Sequence, residues 1–316
     1  MQAILLADVG AGSFAREAMI DKLEMFIALA REKHFGKAAE ECSVTQPTLS
    51  ANIKQLEEQL GVLLVLRGSR FQGLTPEGKR VLEWARKLVA DTRTMKQELK
   101  AVSDGQSGTL RIASIPTALT YVPELTTCFS QDNPGVDFAV FSRPSSEILA
   151  QLENLEIDVG LTYLDNEPLG RVLQVPLYRE RYCFVVAEGG PLSGREQATL
   201  QDVSRVPLCL LTSDMQCRRI INNILHDNDV VAKPVLQSDS IMCLLAHVRT
   251  GRWGTIIPQA VAQTIASDHL EIIPITDPYA SIMVGLIATQ REPRAPLLDA
   301  FLKRVAGISQ GKSLGT

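Results

Sequence analysis

Apolar residues recur at steps of three and four between Leu23 and Leu60, with polar residues between them. This is the period of helices that bury one face. Leu23, Phe26, Ile27 and Ala30 form the stripe of a first helix, which ends before Gly36. Ala38 and Ala39 are small enough for close helix–helix approach, and Val44 plugs the turn that follows. Thr45 is placed to cap the next helix, and Pro47 lies in its first turn, where a missing N–H costs nothing. That helix is predicted to bury Leu49, Ile53, Leu56 and Leu60. Apolar residues at 63–66, a basic tip with Arg67 and Arg70, and Leu74 then predict a short two-stranded wing.

From 76 to about 103 the pattern is that of one long helix. Val81, Ala85, Leu88, Thr92, Met95, Leu99 and Val102 alternate steps of four and three, the seam of a coiled coil. Such a rod would be roughly 40 Å long. The run 103–108 is a hinge by composition. Beyond it, short apolar runs at 110–113, 136–141 and 159–162 alternate with helical stretches at 117–130 and 145–155. The alternation restarts at 182–187 and continues through 208–211, a helix from Cys217, 235–237, a helix from Ile241, 255–257, 270–273 and 282–288, with a closing helix at 296–305. Repeated β-α-β units predict an α/β domain with a largely parallel sheet and helices on both faces.

Gln46, Thr48 and Asn52 lie off the apolar stripe of the helix capped by Thr45, and Ser50 lies at its edge. A helix that buries one side and offers such groups at its N-terminal end suits base edges in a major groove. Gln46, Pro47, Thr48 and Asn52 are the candidates for base readout, with Ser50 and Lys54 on the backbone. Arg67 and Arg70 are placed to meet phosphates or enter a minor groove. Pairing two chains through the long helix would set two reading helices about one DNA turn apart and require a dyad-symmetric operator.

The run AAEECSVTQPTLS, the following QLEEQLG and the wing closing in LTPEG resemble the LysR-type transcriptional regulators. The resemblance continues at lower specificity to about Val305. It implies an all-α winged helix-turn-helix over 19–78, a linker helix and hinge over 79–107, and a periplasmic-binding-protein-like effector domain. One lobe of that domain would comprise 108–181 with 282–308 and the other 182–281, leaving 309–316 as a tail. Residues 1–18 would be a flexible extension, or Met19 the initiator. The family further implies a cytoplasmic homotetramer, an operator, a small-molecule effector and contact with RNA polymerase. There is one departure: many relatives carry a basic residue directly after the serine of the reading helix, where this chain has Ala51. The stretches NLEIDVGLTYLDNEPLGRV, DMQCRRIINNIL and AHVRTGRWGTIIP are similar to regulators found beside formate dehydrogenase operons, which implies formate or a related one-carbon effector.

The net charge of −4 confines any nucleic-acid contact to a local surface. Six cysteines without a C-x-x-C pair suit reduced thiols in a cytosolic protein, with a redox pair between Cys209 and Cys217 left open. Four scattered histidines give no metal spacing, so no metal or cofactor is expected. No run is long enough to span a bilayer, and the N-terminal apolar stretch lacks the basic start of a secretory signal. Gly10-Ala11-Gly12-Ser13-Phe14-Ala15 imitates a dinucleotide fingerprint, yet no second strand or ribose-binding acid follows at the required distance.

Between the lobes, Pro116-Thr117, Ser145-Ser146, Thr212-Ser213 and Ser240 stand at helix starts facing strand ends. Free N–H groups and hydroxyls there favour an anion, so a small carboxylate or oxyanion is the expected effector. Thr162 and Tyr163, at a strand end, would line the same crevice. No nucleophile elbow, Walker loop or paired metal ligands are present, so the chain reads as a regulator and not an enzyme. The alternative is a DNA-binding regulator whose C-terminal domain serves only in oligomerisation.

Overall fold

A computed structural model describes residues 8–66, 71–104, 106–165, 167–265, 269–279, 281–291 and 293–312. The chain divides into two units, 1–103 with 153–155, and 104–152 with 156–316.

The first unit begins with α1 (Asp8–Glu32), α2 (Phe35–Glu41) and α3 (Gln46–Leu60). Helix α1 already includes 8–18, so from Asp8 onward the expected flexible extension is helical, and Gly10–Ala15 lies inside that helix. Phe26, Leu29, Leu49, Leu56 and Leu64 form a fully buried core with Ala38 and Ala39. Burying one such leucine contributes about 2 kcal/mol. Leu60 differs from the expected stripe: it stands at the end of α3 and is exposed, because Gly61 turns left-handed there (φ 69°) and ends the helix.

Among the described residues the wing shows one antiparallel bridge, Val65 with Leu74, flanked by bonds from Leu66 N to the Gly73 carbonyl and from Thr75 N to the Leu64 carbonyl, both 3.0 Å. Two side chains hold it. Glu57 of α3 accepts from the N–H groups of Leu64 (2.7 Å) and Val65 (3.2 Å). Thr75 caps α4 (Pro76–Asp104): its hydroxyl accepts from Gly78 N at 2.8 Å and donates to the Leu63 carbonyl at 2.5 Å. A Cβ on Gly78 would run into the Leu64 carbonyl oxygen. Gly78→Ala is therefore expected to lift the wing off α4 and destabilise this unit by about 1–3 kcal/mol, measured by urea melting. An unchanged midpoint would show that the close approach is not required.

Helix α4 carries two apolar faces. Ala85 and Val89 are buried in the unit's core, whereas Trp84, Leu88, Met95 and Leu99 are exposed. The expected seam was therefore drawn one face too wide: Ala85 packs inward and Val81 is partly buried, while Trp84 joins the outward stripe. The side chain of Val102 lies outside the described residues.

The second unit starts with a parallel trio, β1 (Ser107–Ser114), β2 (Gly135–Ser142) and β3 (Val159–Tyr163), in the order β2-β1-β3. A 3-10 turn (Pro116–Tyr121) and α5 (Val122–Asp132) connect the first two, and α6 (Ser145–Glu153) connects β2 to β3. Then β4 (Val172–Glu180) leads directly into β5 (Tyr182–Ala187) of the other lobe. There α7 (Leu200–Ser204), β6 (Cys209–Leu211), α8 (Gln216–Asp227), β7 (Leu236–Ser238), α9 (Ile241–Val248), β8 (Thr255–Pro258), α10 (Gln259–Ile265) and β9 (Leu270–Pro274) follow. The chain returns through β10 (Ile282–Thr289) and α11 (Pro296–Lys312).

The sheets are mixed and not largely parallel. β10 inserts antiparallel between β3 and β4, and β5 runs antiparallel to both β8 and β9. The cause is the double crossing between lobes, which brings β5 and β10 in against the direction of their neighbours. Tyr279 ties the two crossings together: its hydroxyl accepts from Tyr182 N at 2.8 Å and donates to the Tyr182 carbonyl at 3.0 Å.

Candidate functional site

Two sites follow from this framework, one in each unit. In the first, α3 buries Leu49, Ile53 and Leu56 and leaves Gln46, Pro47, Thr48, Ser50 and Lys54 exposed. Thr45 accepts from Thr48 N at 3.3 Å, and the two hydroxyls bond at 2.8 Å. Asn52 is partly buried, and its amide donates to the Thr48 carbonyl at 2.9 Å. Gln46, Pro47 and Ser50 thus stand clear at the helix start, while Thr48 and Asn52 are already engaged with their own helix. Lys54 pairs with Glu58 at 3.6 Å, an exposed i,i+4 contact of little energetic weight. Arg67 and Arg70 lie outside the described residues.

Sequence reasoning missed the cap of α2. His34 caps it, with Nδ1 accepting from Gly36 N (3.1 Å) and Lys37 N (3.3 Å). A Cβ on Gly36 would come 3.5 Å from the Gln46 side-chain oxygen, so α2 begins beside the N-terminal end of α3. Lys33 and Lys37 are exposed there. Lys33 also lines an open depression of about 430 Å³ with Lys79 and the second wing segment, Phe71 to Leu74. The signal was present in the run Lys33-His34-Phe35-Gly36-Lys37, but a lysine's position beside a groove depends on packing.

In the second unit, the ends of β1, β2 and β3 in one lobe face the end of β6 and the start of α8 in the other. Together they enclose a cavity of about 10 Å³, room for about one water molecule. Pro116, Thr117, Ser145 and Tyr163 line it from one side, and Met215, Gln216 and Cys217 from the other. Four of the expected pocket residues therefore meet. Ser146 and Ser213 instead face solvent, and Ser240 caps α9 by accepting from Cys243 N at 3.4 Å. Thr162 and Thr212 lie outside the lining, each with a buried hydroxyl that has no hydrogen-bond partner. Gln216 and Cys217 were not anticipated, because a glutamine and a cysteine at a helix start carry no distinctive signal.

The cavity wall is largely apolar, and polar groups set in it are unsatisfied. Ser145 and Gln216 are more than nine-tenths buried, yet Ser145 Oγ and Gln216 Nε2 have no hydrogen-bond partner. Buried polar atoms of this kind are costly unless a guest completes them. Tyr163 bonds to Thr117 at 3.0 Å and donates to Glu180 Oε1 at 2.7 Å, and Tyr182 donates to the same oxygen at 2.9 Å. Burial raises the Glu180 carboxyl to about 7 against the opposing effect of both tyrosine hydrogen bonds. Burial, with Glu180 close by, also pushes the Cys217 thiol far up. No lysine or arginine lines the cavity. Arg218, next along α8, turns away to the Leu211 carbonyl (2.7 Å), Gln237 (3.1 Å) and Asn222 (2.9 Å).

All six cysteines are free. Cys209 points to the carbonyls of Leu244 (3.6 Å) and Gly254 (3.5 Å), whereas Cys217 faces the cavity. No described helix is long and apolar enough to cross a membrane.

A winged helix-turn-helix with an exposed reading helix, joined to a two-lobed α/β domain with a cavity between its lobes, defines the class of ligand-responsive DNA-binding regulators. The family is explicit in the sequence: the "LysR substrate binding domain" pattern matches residues 103–307, and the lysR-family "bacterial regulatory helix-turn-helix protein" pattern matches 20–79. The chain belongs to the LysR family and is a DNA-binding transcriptional regulator with an effector-binding domain. A Dickeya chrysanthemi protein described as a hydrogen peroxide-inducible genes activator is 27% identical over 284 residues, 89% of this chain and 92% of that protein. A full-length OxyR cysteine variant from Pseudomonas aeruginosa has the same fold, with TM-score 0.71 and 22% identity over 92% of this chain and 96% of that one. CbnR complexed with its target DNA matches with TM-score 0.62 and 21% identity, over 92% of this chain and 99% of that one.

Proposed function

We propose that this regulator acts in the cytoplasm as a homo-oligomer: the outward stripe of α4 pairs two chains, and α3 of each reads one half of a dyad-symmetric operator. Dimers pair again to a tetramer, and the setting of the reading helices controls access for RNA polymerase. Gln46, Pro47 and Thr48 read bases, Asn52 holds the Thr48 turn, and Ser50, Lys54, Lys33 and Lys37 meet phosphates. Arg67 and Arg70, which lie outside the described residues, are expected to add backbone or minor-groove contacts.

The effector occupies the cavity between the lobes. The observation that carries this reading is the pair of unpartnered buried atoms, Ser145 Oγ and Gln216 Nε2, in one small enclosure. The cavity as it stands holds about one water, so the guest is of very few heavy atoms, in the class of small oxygen acids with formate first, and enters with a slight parting of the lobes. The named peroxide relative brings hydrogen peroxide into the same size class. Burial holds the Cys217 thiol well above its ordinary range, which disfavours the thiolate that would react with peroxide and favours reversible occupancy.

Formate, acetate and hydrogen peroxide, each added at millimolar concentration to the full-length protein, test the reading by melting shift. A guest of three heavy atoms is bounded at about 4–5 kcal/mol of affinity, so sub-millimolar binding is the expected ceiling. Ser145→Ala combined with Gln216→Ala is expected to remove the shift and leave operator binding intact. No shift from any of the three would favour a C-terminal domain that serves assembly alone.

A further inference from the structure

Glu180, the last residue of β4, is a buried acid without a cation. It is 2% exposed, its Oε1 accepts from two tyrosines, and its Oε2 is buried with no hydrogen-bond donor. The titratable groups around it are Tyr163 from β3, Tyr178 on its own strand, Tyr182 from β5 and Cys217 from α8. Burial keeps all four neutral, and among the described residues no lysine, arginine or histidine bears on its titration.

This arrangement orients a chain of hydroxyls. Tyr163 has one proton, and a carboxylate can only accept, so that proton goes to Glu180. The bond between Tyr163 and Thr117 must then be donated by Thr117. Thr117 has no second proton, so it shows the cavity lone pairs alone. On the facing wall, Gln216 Nε2 and the start of α8 present donors. Ser145 can serve either role. The cavity therefore has an accepting end and a donating end, with a carboxyl group one tyrosine behind the accepting end.

We propose that Glu180, acting through Tyr163 and Thr117, makes this site select uncharged molecules that carry a hydrogen-bond donor and an acceptor on neighbouring atoms, and reject anions of the same shape. The inference rests on the cavity being the effector site. A formate ion would set an oxygen lone pair against the lone pairs of Thr117. Formamide, its isostere, places N–H on Thr117 and C=O on Gln216. Formic acid does the same with its own O–H, so an acid enters with its proton or with a proton held on Glu180.

The test uses the full-length protein with formate and formamide as probes, in titration calorimetry. At about pH 8 formamide is expected to bind at least about tenfold more tightly than formate, and formate is expected to gain as pH falls through about 7. Glu180→Leu removes the acceptor, lets Tyr163 donate to Thr117 and should raise formate affinity at pH 8 by about tenfold, whereas Glu180→Gln keeps the acceptor and should remove the pH dependence without reversing the preference for formamide. Tyr163→Phe frees the Thr117 proton and should also favour formate, with unchanged operator binding as the check on folding. Equal binding of the two probes at pH 8, or a preference unmoved by Glu180→Leu, overturns the role of Glu180 and leaves the cavity standing. Binding of neither probe at any pH removes the cavity reading, and this inference with it.

Discussion

Glu180→Gln is expected to stabilise the C-terminal unit at neutral and alkaline pH and to flatten its pH dependence. The folded carboxyl titrates at about 7 against an ordinary 4.5, so the folded state binds this proton more tightly than the unfolded chain. Stability from the group is fully present below 4.5 and is lost as pH rises through about 7. The difference is worth roughly 3 kcal/mol. Glutamine keeps an acceptor for Tyr163 and Tyr182 and carries no charge to desolvate, although its amide inherits the partnerless position of Oε2. Urea melts of wild type and variant between about pH 5 and pH 8 measure the effect. A wild-type curve that rises with pH while the variant's does not would reverse the assigned direction. Parallel curves would show that Glu180 does not titrate in this window.

Gln46→Ala combined with Thr48→Ala is the second large effect, this time on DNA affinity. Good base contacts are worth about 1–3 kcal/mol each, so the pair is expected to weaken operator binding by roughly 30-fold or more. Affinity for random duplex should hold, because the phosphate contacts remain. Thr48 also bonds to the Thr45 cap, so Thr45→Ala serves as the control for helix fraying. Lys33→Ala and Lys37→Ala should behave differently, weakening operator and competitor alike and lowering the salt slope by about one per charge. Anisotropy titrations against operator and random fragments at several salt concentrations separate the two patterns. Equal loss on both fragments for the Gln46/Thr48 pair would move base readout elsewhere.

The DNA-binding unit was legible because each of its signals is local. Thr45, Pro47 and the Leu49/Ile53/Leu56 stripe lie within a few turns of one helix, and that neighbourhood alone makes them cap and buried face. The same reasoning misplaced Leu60, Val81 and Ala85, since periodicity marks an apolar face without saying what covers it. In the C-terminal unit the strand-helix alternation was readable, and β4 was not, because it is a half-buried strand interrupted by Pro176. Three cavity residues were anticipated at helix starts and Tyr163 at a strand end, and Ser146, Thr212, Ser213 and Ser240 were not separable from the first three, since an N-cap looks the same in sequence whether it faces a cavity or water.

The sequence by itself determined the helix-turn-helix, the Thr45 cap of α3, the long α4 helix and the family to which the chain belongs, all of which depend on contacts within one or two turns or on short motifs. Only the tertiary structure decided that β5 and β10 run against their neighbours, that Glu57 pins the wing, and that Glu180 stands behind the cavity with Tyr163 and Cys217 against it. Those residues are separated by 17 and 37 positions in the chain. Their chemistry arises because folding withdraws water from all of them together, and no local pattern records that.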